Sequence, residues 1–249
     1  MRKPLLAGNW KMNTNAAESV KLATELKNLV AEVNDRDILV CPPFTAISQV
    51  SDTLRDSVVM VGGQNLHWEE KGAFTGEISA TMLKSVGATY VIIGHSERRQ
   101  YFGETDETVN KKVKSAIKHN LKAIVCVGET LEQREKGEAL KVIEKQTREG
   151  LAGLEVESCQ SLVIAYEPVW AIGTGKTATP EQAQEVHAFI RGLLAKLFDR
   201  KTADEIRILY GGSVTPDNIK ILMSQADIDG GLVGGASLKA DSFAKLVKF

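Results

Sequence analysis

The chain has 249 residues, of which 43% are hydrophobic and 25% are charged, and its net charge at pH 7 is −1. These values are typical of a globular protein and exclude a disordered, collagenous or fibrous chain. The balance of charge predicts no nucleic acid or anionic membrane as a partner, and no apolar run approaches the ~20 residues of a membrane-spanning helix.

Eight short apolar segments, rich in β-branched residues, recur along the chain. They cover residues 5–10, 37–41, 58–62, 90–93, 123–127, 162–166, 206–210 and 228–233. Their nearly continuous apolar character is typical of strands that are covered on both faces. We therefore predict eight parallel strands.

Segments with helical periodicity lie between these strands, at residues 20–33, 47–54, 109–117 and 183–197. Thr179-Pro180 and Thr215-Pro216 are typical helix starts, and Gly87 is a typical C-cap. The alternation fits a doubly wound open sheet or an eightfold (β/α) barrel. Eight units in 249 residues favour the barrel, and the lack of a linker predicts one domain over residues 1–249.

Three cysteines, Cys41, Cys126 and Cys159, are widely spaced, and none belongs to a CxxC pair. An odd number without metal-ligand spacing argues against a disulfide framework or a zinc site and favours a reducing compartment. The first residues are basic but lack the long apolar stretch of a secretory signal. The sequence therefore predicts a cytoplasmic protein.

In either fold, functional side chains collect at the carboxyl ends of the strands. The polar residues that follow the predicted strands at this end are Asn9, Lys11, Gln64, Asn65, His95, Ser96, Glu97, Glu129 and Glu167. Glycine-rich turns, at residues 211–213 and 234–235, follow the last two strands. Backbone amides in such turns bind phosphate, and barrels commonly bind it at this position. The turns therefore favour a phosphate site over plain chain reversals.

Residues 168–178 form a long segment between the sixth strand and its helix. Their Gly-Lys-Thr sequence resembles part of a P-loop, but Trp170 stands where that motif needs its first glycine. A stiff start and two central glycines are typical of a lid that closes on hinges. A plain surface loop would have a similar composition.

His95 and Glu167 both end apolar strands, where catalytic groups project, although a packed histidine and a salt bridge would also explain them. Lys11 lies past its strand, which disfavours a Schiff base, and one histidine with scattered glutamates is a poor metal site. The remaining set is a carboxylate base, a hydrogen-bond donor and a cation beside a phosphate cradle. It suits proton abstraction next to a carbonyl.

Other titratable residues are interpreted structurally. His119 and His187 lie in helical segments and are predicted to be solvated, and Cys126 is predicted to be a small core residue. Glu97, Arg98, Arg99 and Glu129 are interpreted as structural ion pairs.

Six motifs resemble those of the triosephosphate isomerase family, and together they span the chain. They are AGNWKMN at 7–13, GAFTGEIS at 72–79, IGHSERR at 93–99, AYEPVWAIGTGK at 165–176, YGGSV at 210–214 and LVGGAS at 232–237. The resemblance implies a single-domain TIM barrel of eight parallel strands ringed by helices. It also implies a cofactor-free and metal-free isomerase that interconverts dihydroxyacetone phosphate and D-glyceraldehyde 3-phosphate through an enediolate.

The same resemblance implies roles for individual residues. Glu167 would be the base, His95 a neutral electrophile, and Lys11 the cation beside phosphate and developing oxyanion. Ser96 and Glu97 would form the helix start next to the histidine. The residues that would hold the substrate or its phosphate are Asn9, Lys11, Gly173, Ser213, Gly234 and Gly235.

The loop at residues 65–79 carries His67, Trp68 and Phe74, which would be awkward on the surface of a monomer. The resemblance implies a homodimer in which this loop docks into the neighbouring subunit, with Thr75 near the partner's active-site edge. Ala80 stands where most members have proline, and we expect this difference to affect stability slightly and the chemistry not at all.

Two other functions stay open at this point. Another phosphosugar barrel enzyme, of the aldolase or synthase type, would need a Schiff-base lysine on a strand or a metal cluster. A non-catalytic phosphate-binding barrel would bind its ligand without turnover.

Overall fold

The computed structural model describes residues 2–172 and 178–249, and its strands form a closed parallel barrel. The order is β1 to β8, and β8 returns to pair with β1. The strands are β1 Leu5–Asn9, β2 Asp37–Cys41, β3 Val59–Gly63, β4 Tyr90–Ile93, β5 Lys122–Val127, β6 Leu162–Tyr166, β7 Arg207–Tyr210 and β8 Gly230–Val233. The predicted barrel is thus confirmed, and the alternative of a doubly wound open sheet is excluded.

Helices surround the barrel. They are α1 Ala16–Leu29, α2 Ile47–Leu54, α3 Ala80–Ser85, α4 Ser96–Tyr101, α5 Asp106–Lys118, α6 Leu131–Glu135, α7 Ala139–Gly150, α8 Pro180–Leu197, α9 Arg200–Glu205, α10 Ile219–Met223 and α11 Ala240–Val247. Thr179 caps α8 as predicted, with Pro180 in the first turn. The predicted helix start at Thr215 was wrong, because residues 216–218 form a turn and α10 begins at Ile219.

The strands place alternate side chains on the two faces of the barrel wall. Leu5 and Ala7 belong to a cluster of buried residues that also includes Cys126, whereas Leu6 belongs to a second cluster shared with the helices. Both faces are therefore apolar, which explains the nearly continuous hydrophobic runs. Cys126 is a core residue, as predicted.

The three cysteines are free and buried, in agreement with the prediction that they form no disulfide framework. Within residues 2–172 and 178–249, no helix combines the length and apolar character needed to span a bilayer.

The predicted solvation of His187 was wrong, because its side chain is fully buried on α8. Its ring lies edge-on to Tyr166, with the ring centroids 5.9 Å apart, and its Nδ1 lies 3.1 Å from the Asp227 carbonyl oxygen. Burial lowers the pKa of His187 to about 4. The ring therefore packs as a neutral aromatic group.

A polar cluster lies at the amino end of the barrel, where β2, β4 and β7 begin. Arg207 donates to Asp37 at 2.7 Å and to the Tyr90 hydroxyl at 3.0 Å, and Lys3 pairs with Asp37 at 2.9 Å. These four residues, here named the floor cluster, link strands that are not neighbours in the barrel wall.

Candidate active site at the carboxyl end of the barrel

A cavity of about 320 Å³ lies at the carboxyl ends of the strands. It brings together most of the predicted site residues, namely Asn9, Lys11, His95, Glu167, Ser213, Gly234 and Gly235. Ser96 and Glu97 line an adjoining cavity of about 630 Å³, which shares Glu167 with the first. Gly173, the remaining predicted phosphate ligand, lies outside the described residues.

Glu167 and His95 are in direct contact in the cavity. The His95 Nε2 lies 2.9 Å from Glu167 Oε1, and the backbone N–H of Ser96 donates to Glu167 Oε2 at 2.9 Å. Only 2% of Glu167 and 6% of His95 is exposed. A carboxylate with so little water must be held by these donors.

The start of α4 determines the proton position on His95. The backbone N–H of Glu97 donates to His95 Nδ1 at 3.2 Å, so Nδ1 is the acceptor and a neutral ring carries its proton on Nε2. Gly94 makes the turn from strand to helix at φ +74°, and a Cβ there would lie 2.9 Å from Val109 and 3.3 Å from the Cys126 carbonyl. The local backbone thus aims the Nε2 proton at Glu167.

The two buried groups shift each other's pKa. Burial lowers the pKa of His95, but the Glu167 carboxylate outweighs this effect, so the pKa lies above its ordinary value. Burial raises the pKa of Glu167, but His95 and the Ser96 amide outweigh this effect and lower it. Glu167 is therefore ionised at neutral pH. A neutral oxygen in place of this carboxylate would remove the larger raising effect, so that burial, Lys11 and the amide at Nδ1 would lower the pKa of His95 against Glu97 alone.

Lys11 adopts a left-handed backbone conformation, with φ +52°, which is uncommon for a residue with a side chain. Its N–H donates to Asn9 Oδ1 at 3.1 Å, and its carbonyl accepts from Gln64 Nε2 at 2.8 Å. The Lys11 ammonium pairs with Glu97 at 2.6 Å. Asn9 and Gln64 thus fix the strained backbone that points the cation toward the site.

Two glycines allow β7 to approach Glu167 and the segment after it. A Cβ on Gly211 would lie 2.9 Å from Glu167 Cγ, and one on Gly212 would overlap the Tyr210 hydroxyl. The turn after β8 is held by Ser237, whose hydroxyl donates to the Gly234 carbonyl at 2.7 Å. These turns therefore bring backbone to the wall of the cavity, as predicted.

The residues interpreted as ion pairs do find charged partners. Arg98 pairs with Glu104 and Arg99 with Asp106, whereas the fully buried Glu129 accepts from Arg134, the Tyr166 hydroxyl and Trp170 Nε1. Glu97 pairs with Lys11 instead and so belongs to the site.

In the part of the chain that the structure describes, no group of three or more histidine, cysteine or acidic side chains is arranged to hold a metal ion.

Comparison with known proteins identifies the relatives of this chain. A family model described as triosephosphate isomerase matches residues 4–249. A triosephosphate isomerase from Endomicrobium trichonymphae is 59% identical over 249 residues, which cover 100% of this chain and 99% of the relative. One from Carboxydothermus hydrogenoformans is 56% identical over 248 residues, with the same coverage. The crystal structure of triosephosphate isomerase from Bartonella henselae has a TM-score of 0.89 at 42% identity and covers 98% of this chain and 97% of its own.

Proposed function

This chain belongs to the triosephosphate isomerase family, and from that premise we propose which of its residues carry out the reaction and how. The enzyme interconverts dihydroxyacetone phosphate and D-glyceraldehyde 3-phosphate. The observation that carries the proposal is the 2.9 Å contact between His95 Nε2 and Glu167 Oε1, in a cavity that Lys11 and the two glycine turns also line.

Glu167 is the proposed base. Its carboxylate is ionised and buried, and it removes a proton from the carbon next to the substrate carbonyl. The carbonyl oxygen of the substrate takes the place of the carboxylate at His95 Nε2–H. A proton also passes from the substrate hydroxyl oxygen to the former carbonyl oxygen, both of which lie within reach of His95 Nε2 in this proposal. Reprotonation of the neighbouring carbon by the same carboxyl group then completes the isomerisation.

His95 and Lys11 stabilise the enediolate that forms between the two proton transfers. The imidazole donates from Nε2 because the Glu97 amide occupies Nδ1, and the ammonium supplies a positive charge. Ser96 and Glu97 hold Glu167 and Lys11 before the substrate binds. These donors lie in a partly enclosed, low-dielectric site, where their effect is larger than in water.

The substrate phosphate lies at the turns after β7 and β8. Ser213, Gly234 and Gly235 line that side of the cavity, and Lys11 and Asn9 line it from β1. Gly173, on the segment proposed to act as a lid, is the further proposed phosphate ligand. A lid would exclude water, because an enediolate phosphate left exposed could expel its phosphate.

Solvent-deuterium exchange tests this proposal. D-glyceraldehyde 3-phosphate is supplied in D₂O with a chelator, and the product is followed by NMR. We expect dihydroxyacetone phosphate with deuterium at carbon 1, and we expect Glu167→Gln to lose this exchange. Phosphate-ester binding without exchange in the unmodified protein would contradict the proposal and leave a phosphate-binding barrel.

We further propose a homodimer that forms through residues 65–79. Phe74 in this loop is 43% exposed, although its ring packs 4.4 Å from that of His67. Other large apolar side chains are also exposed, and they include Met12, Phe44, Met82, Tyr101 and Phe102. An apolar ring exposed on a loop is a group that a neighbouring subunit would cover. Light scattering should give twice the chain mass, and Phe74→Glu should shift it toward the monomer.

The domain organisation and the location of the protein are also proposals. We propose that residues 1–249 form one domain, because each strand of the closed barrel pairs with its neighbours. We also propose a reducing, cytoplasmic location, which the three free thiols support.

A further inference from the structure

A glutamine on α7 bonds both backbone polar groups of one residue beside the proposed base. Gln146 Oε1 accepts from the Gly128 N–H at 2.7 Å, and Gln146 Nε2 donates to the Gly128 carbonyl at 3.2 Å. Gly128 directly follows β5, while Gln146 lies in α7 on the outside of the barrel wall. The amide side chain therefore acts as a short piece of strand against this residue.

The barrel wall explains why Gly128 needs such a partner. β4 pairs with β5 only as far as Ile93 and Val125, whereas β5 continues along β6 to Val127 and Tyr166. The edge of β5 that faces β4 thus loses its strand partner at the carboxyl end. Side chains take the place of the missing strand along this edge. The Arg99 guanidinium donates to the Cys126 carbonyl at 3.3 Å, and the Gln146 amide bonds the backbone of Gly128, two residues later.

Gly128 in turn lies against the backbone of Glu167. The Glu167 N–H donates to the Val127 carbonyl at 2.8 Å, and the Val169 N–H donates to the Glu129 carbonyl at 3.1 Å, so residues 127–129 run alongside Glu167. A Cβ on Gly128 would overlap the Glu167 carbonyl group. The placement of Gly128 therefore determines where the backbone of Glu167 can lie.

We propose that Gln146 is a positioning residue for Glu167. It fixes Gly128 at the end of β5, and Gly128 fixes the backbone from which the carboxylate reaches the substrate carbon. This inference rests on the proposed role of Glu167 as the base. A displacement of ~1 Å of a reacting group can lower the rate on the order of 10²-fold, so a smaller shift still affects turnover.

Three variants test the inference by steady-state kinetics. Gln146→Met keeps the length of the side chain but removes both hydrogen bonds, and we expect kcat to fall about tenfold with KM within about twofold. Gln146→Glu still accepts from the Gly128 N–H but cannot donate to the Gly128 carbonyl. Its kcat should therefore lie between those of the parent and of Gln146→Met. Lys145→Met, an exposed change on the same helix, should leave both constants unchanged. If Gln146→Met does not fold, a reduced kcat in Gln146→Glu supports the inference and a parental kcat in that variant overturns it.

A double-mutant cycle separates positioning from a general loss of stability. Glu167→Asp already withdraws the carboxylate, so adding Gln146→Met should lower kcat by less than the product of the two single effects. A fully multiplicative loss in the double variant, or a normal kcat in Gln146→Met, would overturn this inference. The proposed role of Glu167 as the base would still stand if Glu167→Gln is inactive. Full activity in Glu167→Gln would instead overturn the proposed function, and this inference with it.

Discussion

The two ends of this barrel each carry a polar cluster built around one carboxylate, and the residue types are similar. At the amino end, Asp37 is held by Lys3 and Arg207, which outweigh burial and lower its pKa. At the carboxyl end, Glu167 is held by His95 and a backbone amide. Both carboxylates are therefore ionised, and residue type and charge alone do not distinguish them.

The ends differ in what their partners can do. The floor cluster joins fixed cations to Asp37, and Arg207 also donates to the hydroxyl of the fully buried Tyr90. In the rim cluster, defined as Lys11, His95, Glu97 and Glu167, the imidazole can exchange the carboxylate for another acceptor, and the strained Lys11 backbone borders a cavity. We therefore propose that the rim cluster is catalytic because the partner of its carboxylate can be exchanged for substrate, whereas the floor cluster is structural because its carboxylate is held by fixed cations.

Among changes that keep the charge of the site, the largest effect should come from shortening the proposed base at the carboxyl end. Glu167→Asp withdraws the carboxylate by one methylene, and we predict a loss of kcat on the order of 10²-fold. The free energy of unfolding should change little, because the charge stays near His95. Steady-state kinetics and urea unfolding measure the two quantities, and an unchanged kcat would remove Glu167 from the role of base.

At the amino end the effect should fall on stability. Arg207→Met leaves the partly buried Asp37 with Lys3 alone, and we predict that the free energy of unfolding falls by about 2 kcal/mol. Arg200→Met breaks an exposed pair with Asp204 and should cost about 0.5 kcal/mol or less. Equal unfolding midpoints in urea for these two variants would show that Arg207 stabilises the fold no more than an exposed ion pair does.

A buried histidine outside both clusters should make stability depend on pH. The pKa of His187 is about 4 in the folded chain, below its unfolded value of about 6.5, so the unfolded chain binds more protons between these values. The contribution of the neutral His187 ring to the free energy of unfolding is complete above pH 6.5, and it is lost as the pH falls toward 4. We predict a loss of about 2 kcal/mol between pH 7 and pH 5.

Urea unfolding at the two pH values measures this loss, and His187→Asn provides the comparison. The variant lacks the titrating ring, so its stability should fall by less over the same interval. An identical decrease in both proteins would assign the pH dependence to other groups.

The smallest effect should follow from Ala80→Pro at the first position of α3. Ser79 precedes it with ψ 165°, which suits a residue before proline, and caps the helix through Met82. Proline there should raise the free energy of unfolding by about 0.5 kcal/mol by restricting the unfolded chain. Thermal unfolding should show a small rise with unchanged kcat, and a lower Tm would mean that the ring does not fit the buried site.

The strands and the rim residues could be predicted because local sequence determines them. Continuous apolar runs mark strands covered on both faces, and polar residues at their ends mark the rim. The predicted start of α10 was wrong because Asn218 accepts from the Thr215 N–H and closes a turn before the helix begins. For His187, the signal was its spacing of four from Ala183 and three from Ile190, both buried on α8.

Side-chain contacts between distant segments could not be predicted from local patterns. Gln64 reaches the Lys11 carbonyl, and Gln146 reaches Gly128 from a helix outside the barrel wall. The Gln146 contact depends on where β4 stops pairing with β5, which only the register shows. The residue types of the proposed catalytic site were thus visible in the sequence, but the groups that hold them were not.

The most direct test measures activity and stability together for one variant at each end. Glu167→Gln should lose about 10³-fold in kcat, the range of a general base, while its free energy of unfolding stays within about 1 kcal/mol of the parent. Arg207→Met should keep kcat within about twofold and lose stability. Substantial turnover in Glu167→Gln, or a folded Arg207→Met without activity, would contradict the claim that the carboxyl end carries the activity and the amino end contributes stability.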